Sequence, residues 1–371
     1  MSSGSLRRLY SVARKELIHI LRDPMTLFFT LVIPILELFM LGYAIDTNVR
    51  HVRTVILDQA GTQESRQLWQ RFENSEDFTI VARALSDEEL HQAIVTGKAH
   101  VGVKIPSDYS QRLQAGQTAQ LLILVDGSES SVAAEAVNVG NAIALRESLE
   151  RALGDKPLPV DSRPRVLFNP DTRSANFFVP GLMVVLCQMM ATTLAATAIV
   201  REKESGTLEQ LFLTPVRSWE LVIGKMAPYL VLTTLEFCMI ALLMTVCFGV
   251  PIHGSFITLL TLTLPFVLTM LGTGLLISTR ASTRDAAMQM AMGTILPAVF
   301  LSGYVFPADS MPVFFRYLGQ MVPATWLIDA ARGVILRGAG QADLWLHAVV
   351  LWGMALATLA VSSLKFRKQI A

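Results

Sequence analysis

The sequence has few cysteines and few charged residues, and both shortages limit what this chain can be. Its three cysteines are Cys187, Cys238 and Cys247, and none lies in the long polar stretch at 46–175. That stretch therefore has no disulfide and no cysteine-based metal site, so its own apolar core must stabilise it. Charged residues make up 16% of the chain, well below the ~25% of average soluble domains.

The chain also lacks the common motifs of nucleotide chemistry. Neither GxGxxG nor GxxxxGK[ST] occurs, and Asp126-Gly127 is a turn signal rather than a phosphate loop. No Ser/His/Asp or Cys/His set can be assembled, and His91 and His100 are interpreted as surface or edge residues. We therefore expect no catalytic site, cofactor or metal on this chain. The net charge of +1 gives no reason to expect a nucleic-acid partner.

Long apolar runs dominate the remaining sequence, and a membrane-spanning helix needs about 20 mostly apolar residues. The pattern predicts an α-helical polytopic membrane protein with an α/β extracytoplasmic domain at 46–175 and a five-helix region at 176–371. The first run is longer than the apolar core of a signal peptide, so an uncleaved anchor is favoured. The six predicted transmembrane helices are residues 25–45, 177–200, 226–249, 256–279, 286–305 and 344–364.

Basic residues predict the orientation, because Lys and Arg collect in cytoplasmic loops. They cluster before the first span, after the second and fourth spans, and in the C-terminal tail. Both termini are therefore predicted inside, with residues 46–175 outside. The ambiguous segment 306–340 is predicted to be re-entrant: a pair of short helices that dip into the outer leaflet, with Pro323 at the bend.

Two soluble parts have clear patterns. Residues 1–24 predict a cytoplasmic amphipathic elbow helix, whose alternative interpretation is a simple topogenic anchor. Its predicted apolar face is Leu6, Leu9, Ala13, Leu17, Ile20 and Leu21. In the polar domain, strands are predicted at Val52–Leu57, Phe78–Val81, Val101–Ile105 and Leu121–Val125. Helices are predicted at Gln63–Phe72, Asp87–Val95, Asp108–Leu113 and Val132–Leu153. The domain is interpreted as a partner-docking or gating module.

The cytoplasmic segment 201–220 combines charge with a short capped helix. Gly206 breaks the preceding helix, Thr207 is a plausible N-cap, and Pro215 ends the new helix. One interpretation is a rigid knob presented to another protein, and the other is a solvated interfacial loop. The residues alone favour neither.

Four motifs in order resemble the ABC-2 type exporter permeases, in particular the bacterial multidrug or efflux subgroup with a large extracytoplasmic domain. They are Arg22-Asp23-Pro24, Phe168-Asn169-Pro170, Glu204-x-Gly206-Thr207-Leu208-Glu209 with Thr214-Pro215, and Leu301-Ser302-Gly303-x-x-Phe306-Pro307-x-x-x-Met311-Pro312. The resemblance extends over nearly the whole chain.

The resemblance implies a half-transporter of the bacterial inner membrane that exports drugs or other amphipathic compounds. Two permeases would pair, as a homodimer or a related heterodimer, and two copies of a separate ATP-binding subunit would hold ATP and Mg²⁺. Whether a periplasmic adaptor docks on residues 46–175 stays open. The implied ATPase-coupling residues are Glu202, Glu204, Gly206, Thr207, Leu208, Glu209, Leu211, Phe212 and Pro215.

Other candidate residues lie in or near the spans. Glu37 and Glu236 are ionisable groups inside spans, where they either contact a cation or proton or bond to a neighbouring helix. By resemblance, the second and fifth spans line the translocation path, although methionine-rich helices also occur as plain packing. The path candidates are Phe177, Phe178, Met183, Met189, Met190, Met288, Met290 and Met292. The outer re-entrant segment contributes Gly303, Phe306, Pro307, Pro312 and Pro323.

Three alternatives to an ATP-driven exporter follow from the same sequence. A proton-coupled secondary transporter would use Glu37 or Glu236, but no internal repeat is evident. A membrane sensor would need a cytoplasmic output domain, which a longest cytoplasmic segment of about 25 residues does not provide. The third alternative is a subunit that transmits movement of the ATPase to an external partner without moving a substrate across the membrane. The sequence hardly distinguishes this function from that of an exporter.

Overall fold

The structure is a computed structural model that describes residues 3–44, 51–128, 130–153, 167–170, 173–206 and 218–368. The chain divides into two compact units. One unit comprises Asp46–Arg165, and the other comprises Met1–Ile45 together with Val166–Ala371. Each unit has its own apolar core.

Helices account for most of the described residues. In chain order they are α1 (Ser3–Leu21), α2 (Pro24–Ala44), α3 (Gln63–Glu73), α4 (Asp87–Val95), α5 (Tyr109–Gln114), α6 (Ser130–Leu153), α7 (Ser174–Glu204), α8 (Ser218–Cys247), α9 (Phe256–Arg280), α10 (Arg284–Leu301), α11 (Val313–Gln320), α12 (Pro323–Arg337) and α13 (Trp345–Lys368). The strands are β1 (Val52–Asp58), β2 (Phe78–Arg83), β3 (Val101–Ile105) and β4 (Leu122–Val125). A π-helical turn, Phe28–Val32, lies inside α2.

The smaller unit is built on a mixed sheet in the order β2-β1-β3-β4. β1 is parallel to β2 and β3, and β4 is antiparallel to β3. The predicted strands and helices of this region are confirmed, with ends that differ by a few residues. They were predictable because β-branched runs alternate with capped helical segments. At α3, for example, Thr62 and Ser65 form a reciprocal capping box.

Both faces of this sheet are covered by helices. On one face Ile56 of β1 joins a core with Trp69 and Phe72 of α3. On the other face Val55 belongs to a cluster with Leu90 of α4. A Cβ at Gly102 of β3 would lie 2.9 Å from Leu90 Cδ1, so glycine lets α4 pack closely on the sheet.

In the larger unit, α7 and α9 are mostly buried, whereas smaller shares of α2, α8 and α13 are buried. α7 and α9 therefore form its centre. Where they meet, a Cβ at Gly274 would lie 2.4 Å from the Thr192 carbonyl oxygen and 2.7 Å from Ala195 Cβ. Small residues at such crossings let helix backbones approach, which is a main source of helix association in lipid.

Among the described residues, five helices are long and apolar enough to cross a membrane, at Pro24–Ala44, Ser174–Glu204, Glu220–Cys247, Phe256–Arg280 and Trp345–Lys365. They match five of the six predicted spans. The remaining prediction, 286–305, falls on α10, which begins with Arg284 and Asp285 and is not among the five. A sixth span and the orientation of the termini stay predictions.

The two short helices predicted after the fifth apolar run are present as α11 and α12. Pro323 occupies the first turn of α12, where its missing N–H leaves no backbone hydrogen bond unmade. α12 ends at Gly338, whose φ of 69° is a left-handed conformation that glycine adopts without strain. The depth of this pair in a bilayer stays a prediction.

Candidate functional site

The N-terminal helix α1 packs along the beginning of α8. Its buried positions are Ser5, Val12, Glu16 and Ile20. Of the predicted apolar face, Leu6, Leu17 and Leu21 are exposed. Because that face was predicted to lie against the membrane surface, its placement stays a prediction.

The close approach of these two helices depends on a glycine. A Cβ at Gly224 of α8 would lie 3.0 Å from Val12 Cβ and 3.2 Å from the Leu9 carbonyl oxygen. A bulkier residue would push α1 away from α8. The side chains on either side of this contact are ionised groups, and they form two sets of ion pairs.

The first set ties the start of α8 to the first turns of α1. Glu220 is fully buried, and both of its oxygens accept hydrogen bonds from Arg8, at 2.9 Å each. Ser5 Oγ also donates to Glu220. The hydrogen bonds that Arg8 donates to Glu220 raise the pKa of Arg8. A bidentate pair of this kind fixes orientation as well as charge.

The second set, which we call the Glu16 network, consists of Glu16, Arg201, Glu202, Lys225 and Tyr229. Tyr229 Oη donates to Glu16 Oε1 at 2.6 Å, and Arg201 Nη2 donates to Tyr229 Oη at 3.2 Å. Lys225 Nζ lies 2.5 Å from Glu202 Oε2 and 3.9 Å from Glu16 Oε2. Arg201 also lies 3.9 Å from Glu16. Three helices, α1, α7 and α8, are joined here by buried opposite charges.

Two contacts extend the Glu16 network towards its surroundings. Lys15 Nζ lies 3.1 Å from Glu202 Oε1, and Arg201 Nη1 lies 3.4 Å from Asp23 Oδ2. Asp23 caps α2 by accepting the Thr26 N–H, and hydrogen bonds from Thr26 hold the pKa of Asp23 below its usual range. The network therefore connects the start of the first apolar helix to the end of α7.

The last turn of α7 makes one further connection, to the start of α10. Glu204 Oε1 accepts the backbone N–H of Arg284 at 2.9 Å, and its Oε2 lies 3.2 Å from Arg284 Nε. Gly206 follows with φ of 68°, a conformation that stops the helix. Both ends of the segment between α7 and α8 are thus held by buried or partly buried charges.

A different polar pair lies within the spans. Glu236 of α8 is fully buried, and neither carboxylate oxygen has a hydrogen-bond partner among the described residues. Glu37 is partly buried on α2, a helix that packs against α8. Burying a carboxyl without a partner is unfavourable, which makes this position unusual for a purely structural residue.

Comparison with known proteins identifies the family of this chain. A family described as "ABC-2 family transporter protein" matches residues 24–364. The chain belongs to the ABC-2 family of transporters. It is 30% identical to the probable multidrug ABC transporter permease YbhR of Escherichia coli K12, over 96% of both chains. It is also 30% identical to YbhS, a protein of the same description and organism, over 99% of this chain and 98% of the relative. The linearmycin resistance permease protein LnrN of Bacillus subtilis is 21% identical over 91% of this chain and 94% of its own.

The predicted coupling residues of this ABC-2 permease fall into two groups, those that the structure describes and those that it does not. Glu202, Glu204 and Gly206 are described, and the first two make the ion pairs above. The other predicted coupling residues, Thr207, Leu208, Glu209, Leu211, Phe212 and Pro215, lie outside the described residues. The sequence interpretation missed Glu16, Glu220 and Tyr229. The signal available for Glu16 was its helical spacing from Val12 and Ile20, which places a carboxylate on a buried face.

The residues predicted to line the translocation path differ in how far they are buried. Met183 is fully buried, whereas Met288, Met290 and Met292 are exposed on α10. Met189 and Met190 are partly exposed near the middle of α7. Phe177 and Phe178 form an edge-to-face pair, and Phe178 also contacts Tyr304 at 6.3 Å between ring centroids. A path-lining role for these residues stays a prediction.

The outer-segment candidates lie around the end of α10. Gly303 has φ of 77° and Pro307 precedes a short 3₁₀ turn at Ala308–Ser310. Pro312 immediately precedes α11. Phe306 is exposed and stacks on Phe300 with centroids 6.5 Å apart. These residues shape a compact connection between α10 and α12.

Proposed function

We propose that this chain is the membrane-spanning permease subunit of an ATP-driven ABC-2 exporter. It would form the translocation path as a dimer, and each copy would dock a separate ATP-binding subunit through residues 201–220. ATP and Mg²⁺ would bind to that partner, since this chain has no nucleotide motif. The complex would lie in the bacterial inner membrane with both permease termini in the cytoplasm. A relative, YhhJ of E. coli K12, is named an inner membrane transport permease.

The observation that carries the proposal is the Glu16 network with its neighbour Glu220. A segment that transmits movement from an ATPase must be anchored at both ends, because a loose end would absorb the movement. Glu202 anchors the α7 end, and Glu220 and Lys225 anchor the α8 end, all through α1. The three glutamates and Lys225 are buried, so solvent screens their charges less than those of an exposed pair, whereas Arg8 and Lys15 are partly exposed. α1 would therefore move with the segment as one body.

The proposed substrates are drugs or other amphipathic compounds. Two relatives are named multidrug permeases, and a third is named for linearmycin resistance. Exposed methionines on α10 suit varied apolar ligands, because the thioether side chain is flexible and polarisable.

Co-purification tests the docking directly. The detergent-solubilised wild-type chain would be compared with a variant lacking Thr207–Leu213, and mass spectrometry would look for a bound ATP-binding subunit. We expect the ATPase with wild type only. An Arg280→Gln variant, changed at the exposed last residue of α9, serves as a folded control and should keep the partner. An ATPase retained by the deletion variant would contradict the docking site.

A second candidate function is a proton-coupled carrier, and the buried carboxyl of Glu236, which has no hydrogen-bond partner among the described residues, favours it. A carboxyl in such a site exchanges protons with a water-filled path in many transporters. Glu236→Gln separates the two functions. Transport that continues with ATP in this variant would support the exporter, whereas loss of transport together with loss of coupled proton movement would support the carrier.

A further inference from the structure

Two adjoining cavities lie under the outer segment of the larger unit. The first has a volume of about 400 Å³ and combines polar and apolar walls, including Phe177, Trp326 and Arg332. The second has a volume of about 330 Å³ and is lined mainly by Phe300, Phe306, Phe315 and other apolar side chains. Leu301 and Met311 line both cavities. A molecule with a polar head and an apolar tail would match this arrangement.

Arg332 gives the polar cavity its charge. Its Nε and Nη1 donate to the carbonyl oxygens of Phe177 and Gly303, at 3.2 and 3.0 Å, and its guanidinium lies 3.7 Å from the Phe177 ring centroid. These contacts fix the guanidinium firmly, but all of them are to neutral groups. No charged group is among these contacts, although the carboxylate of Asp329 lines the same cavity.

Among the side chains that the structure describes, no carboxylate lies in salt-bridge contact with Arg332, and its Nη2 has no acceptor. Asp329, one helical turn earlier, instead accepts from His347 Nε2 at 2.9 Å and lies 3.4 Å from Arg337. Arg332 Nη2 is buried, so an anion in the cavity would be attracted by the charge of the guanidinium. A small shift of the Arg332 side chain would then let Nη2 donate a hydrogen bond to that anion.

We propose that the two cavities form a binding site for an anionic phospholipid, with the phosphate headgroup beside Arg332 and an acyl chain against Phe300, Phe306 and Phe315. Guanidinium is the side chain best suited to phosphate, since it offers planar paired donors. The three phenylalanines are all exposed, so a chain could enter from the side. The bound lipid would hold α11 and α12 against the end of α10. The proposal does not depend on ATPase coupling.

The test measures lipid binding to the purified full-length permease in neutral detergent. Native mass spectrometry would count bound dioctanoyl phosphatidylglycerol, and separately dioctanoyl phosphatidylcholine, over a concentration series. We expect wild type to prefer the anionic lipid, and Arg332→Gln to bind it about tenfold more weakly while its binding of the zwitterionic lipid changes little. Equal affinity of wild type for both lipids would overturn the anion-binding site.

Arg332→Gln removes two hydrogen bonds and could disturb the fold, so a second variant tests the apolar half. Phe315→Ala changes an exposed side chain and should weaken binding of both lipids several-fold. Tyr317→Ala is its matched control, because Tyr317 is exposed on the same helix and lines neither cavity. Equal effects of these two variants would overturn the acyl-chain site.

Inorganic phosphate distinguishes a lipid from a free anion. An excess of inorganic phosphate should leave bound phosphatidylglycerol in place, because phosphate has no acyl chain to occupy the apolar cavity. Displacement of the lipid by phosphate alone would show a small-anion site and overturn the lipid proposal. Arg66→Gln, which removes an exposed charge from the α/β unit, controls for the change in net charge and should bind both lipids as wild type does.

Discussion

Replacing Lys225 by methionine tests the Glu16 network most sharply. Methionine keeps much of the side chain's length and apolar stem but removes the cation that lies 2.5 Å from Glu202 and 3.9 Å from Glu16. Lys225 and both carboxylates are buried, so the variant would retain two buried acids with one fewer counter-charge. Removing one partner of a buried ion pair typically costs about 3–5 kcal/mol.

The expected loss lies near the lower end of that range. Lys15 still contacts Glu202, and Arg201 still lies 3.9 Å from Glu16, so neither acid is left alone. We therefore expect Lys225→Met to destabilise the protein by about 3 kcal/mol. The measurement is equilibrium unfolding in mixed detergent micelles, followed by circular dichroism.

A double variant makes the result specific. Lys225→Met with Glu202→Gln removes the charge and its main partner together, so it should recover a large part of the loss, as expected for two groups in direct contact. Lys98→Met, at an exposed lysine of the α/β unit, should change stability by no more than about 0.5 kcal/mol. If Lys225→Met were as stable as wild type, the Glu16 network would not contribute to stability, and the proposal that it anchors the segment would be contradicted.

Three further changes have defined outcomes. Gly274→Ala should destabilise by about 1–3 kcal/mol in the same unfolding assay, because its Cβ would meet backbone 2.4 Å away; Gly293→Ala, with nothing within 4 Å, should not. Tyr229→Phe should cost about 1–3 kcal/mol by removing the hydroxyl that donates to a buried carboxylate, and an unchanged midpoint would contradict this. Arg71 and Arg146 lower the pKa of Glu150 to about 2. The ion pairs of Glu150 therefore stabilise the fold above pH about 4.5, and this stabilisation is lost as the pH falls towards about 2. In Arg71→Gln, an acid titration followed by circular dichroism should show a smaller loss of stability over this pH range.

Much of the local structure was predictable because it depends on short-range chemistry. Strand and helix patterns at Val101–Ile105 and Gln63–Glu73 were identified correctly, and Pro323 marks the start of α12 as expected. Periodicity and capping residues determine such elements within a few positions of the chain. The family resemblance was likewise carried by short motifs and is confirmed.

The ion network was harder to predict, because it depends on contacts between residues far apart in sequence. Glu16 and Tyr229 are 213 positions apart, and nothing in either local pattern identifies the other as its partner. The apolar pattern of α1 likewise does not indicate that Arg8 and Glu16 contact α8. The number of spans was also uncertain, since Arg284 and Asp285 reduce the apolar character of α10.

ATP-driven transport into inside-out membrane vesicles tests the central proposal most directly. The vesicles would contain the permease and its co-purifying ATPase, and uptake of a fluorescent amphipathic dye would be followed with ATP, with ATP plus a protonophore, and with a proton gradient alone. We expect uptake with ATP that the protonophore does not abolish, and no uptake in Glu209→Arg, which inserts normally. Uptake that needs only the proton gradient, or that persists with ATP in Glu209→Arg, would contradict coupling through residues 201–220.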